Sequence, residues 1–204
     1  MRRGTRKIMR FAGVVCVPVV CLAAAACAPG KPIHYYALNR PVVADTVAKS
    51  DGPVLLVGRI ETPETLEDGR IRYRAGSNEV GSYEYHRWNE RPAAMVQQLL
   101  VETLRASGKY RHVQLVAPSV PGDFLIRGRL RDFSEVDDPG IRTRVSLQLE
   151  LIDRKTGLVV WDRNFNRDEG VGGKAMKDVV ASLDRNLQQV IAEAASGIGS
   201  FLSK

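Results

Sequence analysis

The clearest pattern in the chain is an alternation of apolar and polar side chains over residues 141–151. This period predicts a β-strand with one buried face and one solvent-facing face. Its apolar members are Ile141, Val145, Leu147, Leu149 and Leu151. A similar alternation over residues 124–131, with turn signals at residues 137–140 and 155–157, predicts a three-stranded antiparallel meander that ends near Phe165.

The first half of the domain begins with a run that is apolar on both faces. Residues 54–57 read Val-Leu-Leu-Val, which predicts a central strand that is covered on two sides. Residues 71–74 and residues 80–88 flank the turn signal of residues 76–78. This arrangement predicts a β-hairpin.

Two stretches have the apolar period of amphipathic helices. Asn89 is expected to cap the first helix, Pro92 lies in its first turn, and Gly108 ends it. The second helix is expected from about Lys174 to Phe201. Because both apolar stripes need a sheet to cover, the sequence predicts an α+β fold: a mixed, largely antiparallel sheet with two amphipathic helices packed on one face.

The N-terminus has the layout of a secretory signal peptide. A basic cluster within residues 2–10 precedes an uncharged apolar run over residues 11–26, which is short for a hydrocarbon layer of about 30 Å. The run ends in small residues before Cys27, and this ending resembles the lipobox of bacterial lipoproteins. The resemblance implies cleavage before Cys27 and lipidation of its thiol. Ala24 stands where the motif favours leucine, so cleavage without lipidation remains the alternative.

The chain is therefore expected to have three regions. Residues 1–26 form a lipoprotein signal peptide, residues 27–53 a lipidated, proline-rich tether, and residues 54–204 a single α/β domain. Within the tether, residues 35–38 have the composition of a strand. The domain can equally begin there, with a first strand at the edge of the sheet.

Removal of the leader changes the charge and the cysteine content. The whole chain has a formal net charge of +7, but the leader contains five basic residues and no acidic one, which leaves +2. This small excess removes the main argument for nucleic acid as a partner. Cys16 and Cys21 lie in the leader, so Cys27 is expected to be the one cysteine of the mature chain, and no disulfide is expected.

The sequence has no strong catalytic or metal-binding motif. His34, His86 and His112 lie in separate predicted elements, without the i, i+4 spacing of a helical zinc site. The glycine-rich run of residues 170–174 lacks the first glycine and the final hydroxyl residue of a phosphate loop. The acidic turn at Asp137 lacks the ligand spacing of an EF-hand. We therefore expect a non-enzymatic protein with no metal and no cofactor.

One segment, the predicted hairpin, concentrates tyrosine, tryptophan and arginine. Its candidate partner-binding residues are Tyr73, Tyr83, Tyr85, Arg87 and Trp88. In one interpretation the alternate aromatic side chains pack beneath the helices, because aromatic residues bury large areas in cores. In the other they form a contact surface, because these residue types dominate the hot spots of protein interfaces. The pattern alone leaves both interpretations open.

The order of these motifs is similar to that of the auxiliary lipoproteins of ABC-type transport systems. This family includes the C component of the paraquat-inducible lipid-transport system. The matching pieces are the lipobox, residues 35–38, a strand that ends at Pro63, residues 71–74, and residues 83–88 directly before an amphipathic helix. The resemblance covers nearly the whole mature chain, and its specific motifs lie in the first half.

The resemblance implies a non-enzymatic partner of a transporter whose ABC permease and ATPase work with an MCE-domain protein to move lipids across the cell envelope. The lipobox resemblance favours anchoring to the periplasmic face of the outer membrane over the inner membrane, because Ala28 stands where an aspartate retains enteric lipoproteins in the inner membrane. A structural envelope lipoprotein without a transport role shares the same anchor and fold and remains the alternative. The sequence leaves open whether the chain forms a homo-oligomer.

Overall fold

The computed structural model describes residues 30–40, 51–76, 78–137 and 139–203. The chain divides into two units after Pro32, and the fold given below is that of the second unit, Ile33–Lys204. The predicted signal peptide, Cys27 and residues 28–29 and 41–50 of the predicted tether lie outside the described residues. Within the described ranges, no helix is both long and apolar enough to cross a membrane.

Eight strands and two α-helices make up the described part of the second unit. The strands are β1 His34–Tyr36, β2 Val54–Glu61, β3 Arg70–Ala75, β4 Glu79–Trp88, β5 His112–Leu115, β6 Phe124–Asp137, β7 Ile141–Asp153 and β8 Val159–Gly170. The helices are α1 Pro92–Ala106 and α2 Met176–Leu202, and a short 3-10 helix spans Glu64–Leu66.

All eight strands belong to one mixed sheet that is organised around the long strand β6. One edge of β6 pairs with β7 along its length, and β7 pairs with β8, both in antiparallel orientation. The other edge is shared, because β2 runs parallel to the first half of β6 and β3 runs parallel to its second half. Next to β2 lies β5, and next to β3 lie β4 and then β1. We call β1, β4 and β3 the arm of the sheet.

The inner face of the sheet is covered by the helices and forms one hydrophobic core. The alternation predicted for β7 is confirmed, since four of its apolar side chains are at most 1 % exposed. They are Val145, Leu147, Leu149 and Leu151. The core is tightly packed at Gly128 of β6, where a Cβ atom would come within 2.6 Å of Ile60 and 2.7 Å of Leu149.

The first helix begins later than the sequence predicts. Its N-cap is Arg91 and not Asn89, because the backbone N–H of Asn89 donates to the carbonyl of Tyr36 at 2.8 Å and so extends the sheet. Pro92 occupies the first helical position, where a missing N–H breaks no helical hydrogen bond. The helix packs on β2 and β5, while α2 packs on β7 and β8.

The predicted fold class is confirmed, since the protein has two helices and one mixed sheet. Most of the paired residues of the sheet belong to antiparallel ladders. The central strand, the hairpin, the meander and both helices form close to their predicted positions. The first strand forms at His34–Tyr36, at the edge of the arm, where the sequence pointed to residues 35–38. Strand β5 was not predicted, because four residues are too few to show a period.

Candidate partner-binding surface

The five candidate side chains of the hairpin lie on two opposite faces of the arm. Trp88 belongs to the hydrophobic core, which identifies the inner face at this point of β4. Because successive residues of a strand alternate between faces, Arg87 and Tyr85 lie on the outer face. Tyr83 packs against the core and against Tyr73, so these two rings lie on the inner face. Tyr83 and Tyr85 thus lie on opposite faces although they are two residues apart, and the β3–β4 register is irregular in this part of the hairpin.

Trp88 packs the arm against β6 at the centre of the sheet. Its side chain is only 3 % exposed, and its ring lies 5.2 Å from the ring of Phe133 on β6. The indole Nε1 is buried and has no hydrogen-bond partner in the described part of the chain. Trp88 therefore contributes apolar packing and offers no accessible surface to a partner.

A buried hydrogen bond ties the arm to β6 a second time. The ring centroids of Tyr73 and Tyr83 are 5.1 Å apart, and the hydroxyl of Tyr83 donates to a carboxylate oxygen of Glu135 at 2.9 Å. Burial raises the pKa of the Glu135 carboxyl, while the hydrogen bond from Tyr83 acts in the opposite direction. Burial and the adjacent carboxylate both raise the pKa of Tyr83, so its hydroxyl remains a donor at neutral pH.

The arm also brings together two histidines that the sequence places in separate elements. The β1–β4 register sets His34 beside His86, and their rings stack with centroids 5.4 Å apart. The hydroxyl of Tyr36 shares a hydrogen bond of 2.9 Å with Nδ1 of His86. Burial, and secondarily the charge of His34, lower the pKa of His86. In the described ranges no three His, Cys, Asp or Glu side chains are grouped so that they could hold a metal ion.

The outer face of the arm exposes tyrosine and arginine. Tyr35 is 63 % exposed and is the register partner of Arg87. The Arg87 guanidinium makes no hydrogen bond or ion pair with any residue that the structure describes, although its Nε is shielded from solvent. A hydrogen bond with Glu84 raises the pKa of the neighbouring Tyr85.

Strand β3 extends this outer face with two more arginines. Arg74 forms an ion pair with Asp132 at 3.0 Å, and Arg72 donates a hydrogen bond to the hydroxyl of Ser82. Beside them lies a shallow depression of about 490 Å³ whose lining includes Arg131. We call the outward side chains of the arm the tyrosine–arginine face. Its members are Tyr35, Arg72, Arg74, Tyr85 and Arg87. The sequence pattern did not single out Tyr35, whose position beside Arg87 depends on the pairing of β1 with β4.

The tyrosine and arginine on the outer face of the arm form a candidate binding surface on a sheet whose inner face is covered by helices. The chain belongs to the family of ABC-type transport auxiliary lipoprotein components, whose model matches residues 36–195. The family resemblance of the motifs is thereby confirmed. The protein is an auxiliary lipoprotein component of ABC-type transport, and membership of this lipoprotein family associates it with the cell envelope.

Solved structures share the fold. The protein XCC0632 from Xanthomonas campestris, of family DUF330, superposes with a TM-score of 0.74 at 19% identity over 82% of this chain and 95% of its own. An uncharacterized protein gives a TM-score of 0.66 at 16% identity, with 82% and 99% covered. The hypothetical protein CT253 from Chlamydia trachomatis gives 0.52 at 10% identity, with 74% and 98% covered. No curated protein sequence matches the chain.

Proposed function

We propose that the protein is a non-enzymatic auxiliary component of an MCE-associated ABC system that transports lipids across the cell envelope. Lipidated Cys27 anchors it to the periplasmic face of the outer membrane, and its tyrosine–arginine face docks onto the MCE-domain protein of the same system. The docking proposal rests chiefly on Arg87, whose guanidinium has no partner in the described chain and whose Nε is shielded from solvent, beside exposed Tyr35.

The physical need for such a component comes from the aqueous periplasm. Each methylene group exposed to water costs about 0.8 kcal/mol, so a lipid crosses efficiently only inside a protein path that shields its tails. A domain tethered at the receiving membrane holds the end of that path in place. Two or more acyl chains give stable anchoring, whereas one chain binds reversibly.

The chemistry of the tyrosine–arginine face favours a protein partner. Tyrosine and arginine are enriched at interface hot spots, since they combine a large contact area with directed hydrogen bonds. Arg87 can form a two-pronged hydrogen bond with a carboxylate, so we expect acidic side chains at the centre of the partner surface. In this proposal Tyr85 and Arg87 contact the partner directly. Tyr73, Tyr83 and Trp88 hold the hairpin in the shape that the partner recognises.

Capture of the MCE-domain partner tests the docking proposal. Tyr85→Ala and Arg87→Ala, alone and combined, are expected to reduce co-purification at least ten-fold while the melting temperature stays close to that of the unmodified protein. Arg163→Ala is the matched control, because Arg163 is an exposed strand arginine on β8 with no described partner. Undiminished capture by the folded double variant would reject this face as the docking surface.

The anchor and the transport role need separate measurements. Mass spectrometry of the native N-terminus is expected to show an acylated Cys27, and Cys27→Ser is expected to release the protein into the periplasmic fraction. Depletion of the protein is expected to slow movement of labelled phospholipid between the two membranes. Normal lipid movement in depleted cells would favour the structural role that the sequence left as the alternative.

A further inference from the structure

A second charged feature lies beside β2, away from the arm. Strand β5 pairs only with residues 54–57 of β2, so among the described strands the second half of β2 has no neighbour on that edge. A cavity of about 350 Å³ is lined by this part of β2 and by the first turns of α1. The side-chain amide of Gln97 crosses between them and donates to the carbonyl of Gly58 at 2.6 Å.

Two arginines line this cavity, Arg59 from β2 and Arg91 from the N-cap of α1. Neither guanidinium has a hydrogen-bond or ion-pair partner among the residues described. Glu67 is the single carboxylate in the lining. Glu61, two residues beyond Arg59, pairs with Arg129 at 2.8 Å and does not line the cavity. The cavity therefore has more positive charge than negative charge.

Uncharged donors add to the attraction for an anion. The first turn of α1 contains no acidic residue, and its N-cap makes no side-chain hydrogen bond. The N–H groups of Ala94 and Met95 both donate to the carbonyl of Arg91, whereas that of Ala93 has no acceptor in the described chain. The hydroxyl of Thr62, also in the lining, is buried without a partner. The two guanidiniums are the main anion-binding groups, and the N–H of Ala93 and the hydroxyl of Thr62 add uncharged donors.

We propose that this cavity binds a phosphate group, carried by a phospholipid headgroup or by a soluble phosphate ester. A phosphate monoester has more charge and more acceptor oxygens than a carboxylate, so it can engage both arginine forks at once, whereas a phosphodiester headgroup has a single charge and can offer one of its two free oxygens to each arginine. The cavity is of the size of a small-ligand site, and it has no room for two acyl chains. The site thus recognises the polar end of a ligand. Phosphate binding at this cavity does not depend on the transport role proposed above.

Titration calorimetry on the mature lipoprotein, in a phosphate-free neutral detergent, tests this site with three probes. They are inorganic phosphate, dihexanoyl phosphatidylglycerol and dihexanoyl glycerol, which lacks phosphate. The two phosphate-bearing probes are expected to bind, and Arg59→Ala and Arg91→Ala are each expected to weaken binding at least ten-fold. Arg163→Ala is expected to leave it unchanged, and Arg59→Lys to give an intermediate loss.

A second variant keeps the test independent of folding. Ala93→Glu places a fixed carboxylate in the first turn of α1, where it favours the helix and competes with the ligand. It is expected to keep or raise the melting temperature and still to abolish phosphate binding. Tighter binding of phosphatidylglycerol than of inorganic phosphate identifies a headgroup site, and equal binding identifies a site for soluble phosphate.

Three results would overturn the proposal. They are no binding of either phosphate probe, equal binding of dihexanoyl glycerol, and unchanged affinity in a folded Arg59→Ala/Arg91→Ala double variant. The same double variant is expected to capture the MCE-domain partner normally. A failure of the phosphate site and a failure of the docking proposal are therefore separate outcomes.

Discussion

Replacing Trp88 by alanine separates packing from partner contact in the hairpin. The indole is 3 % exposed and lies against Phe133, so its removal leaves a cavity where the arm meets β6. Truncation of a buried tryptophan costs about 3–5 kcal/mol. At about 2–4 °C per kcal/mol for a domain of this size, the melting temperature is expected to fall by about 6–20 °C. Tyr85→Ala, on the outer face, is expected to stay within about 1 kcal/mol.

The assay is thermal and urea unfolding of both variants, followed by partner capture at a temperature where each is folded. Trp88→Phe is the matched control. It keeps an aromatic ring against Phe133 and removes an indole N–H that has no partner in the described chain. The lost volume and the removed unpaired donor act in opposite directions, so its stability is expected to stay within about 1.5 kcal/mol.

One combination of results would refute this reasoning. If Trp88→Ala melted within about 2 °C of the unmodified protein but lost partner capture, the indole would be a contact residue and not part of the core. A loss of stability with capture retained in the folded fraction is the expected combination.

Three further substitutions probe the core and the buried polar groups. Gly128→Ala places a methyl group against two fully buried side chains, and urea unfolding is expected to show a loss of about 1–3 kcal/mol. Glu135→Gln keeps an acceptor for Tyr83 but removes a carboxyl whose pKa lies above its ordinary value of 4.5. Because the folded-state pKa of Glu135 is raised, the stability of the unmodified protein falls as pH rises from 4.5 to that pKa. The free energy of unfolding of Glu135→Gln is therefore expected to increase relative to that of the unmodified protein over this range. A pH-independent difference between the two would contradict the pKa shift. Thr143→Val removes the buried hydroxyl that lies 2.9 Å from the Ser182 hydroxyl. Urea unfolding is expected to show a loss of about 1–3 kcal/mol, whereas little change would indicate that a water replaces the lost partner.

Local periodicity was sufficient to predict most of the fold. The alternation in β6 and β7 and the stripes of α1 and α2 are each set by burial of one face, which the sequence records directly. The parallel pairing of β2 and β3 with the two halves of β6 depends on contacts between distant residues and leaves no local pattern. Strand β5 was missed for a different reason, because its four residues are too few to show a period.

The candidate surface was predictable in composition but not in orientation. The sequence located the tyrosines and arginines on one hairpin, yet the phase change within β4 places Tyr83 and Tyr85 on opposite faces. The exposure of Tyr35 and the stacking of His34 on His86 both follow from the β1–β4 register, which three residues of strand cannot reveal. The cavity at Arg59 and Arg91 arises where β5 ends, and no motif marks it.

The shared edge of β6 has a consequence for motion. β3 meets β6 through four register partners, from Arg72 to Ala75, whereas β6 and β7 are joined along their lengths. The amide hydrogens of the β3–β6 ladder are therefore expected to exchange with solvent sooner than those of β6 and β7. A partner bound to the outward tyrosines would therefore load a part of the sheet that a short ladder joins to β6, while the longer ladders of β6, β7 and β8 hold the meander together.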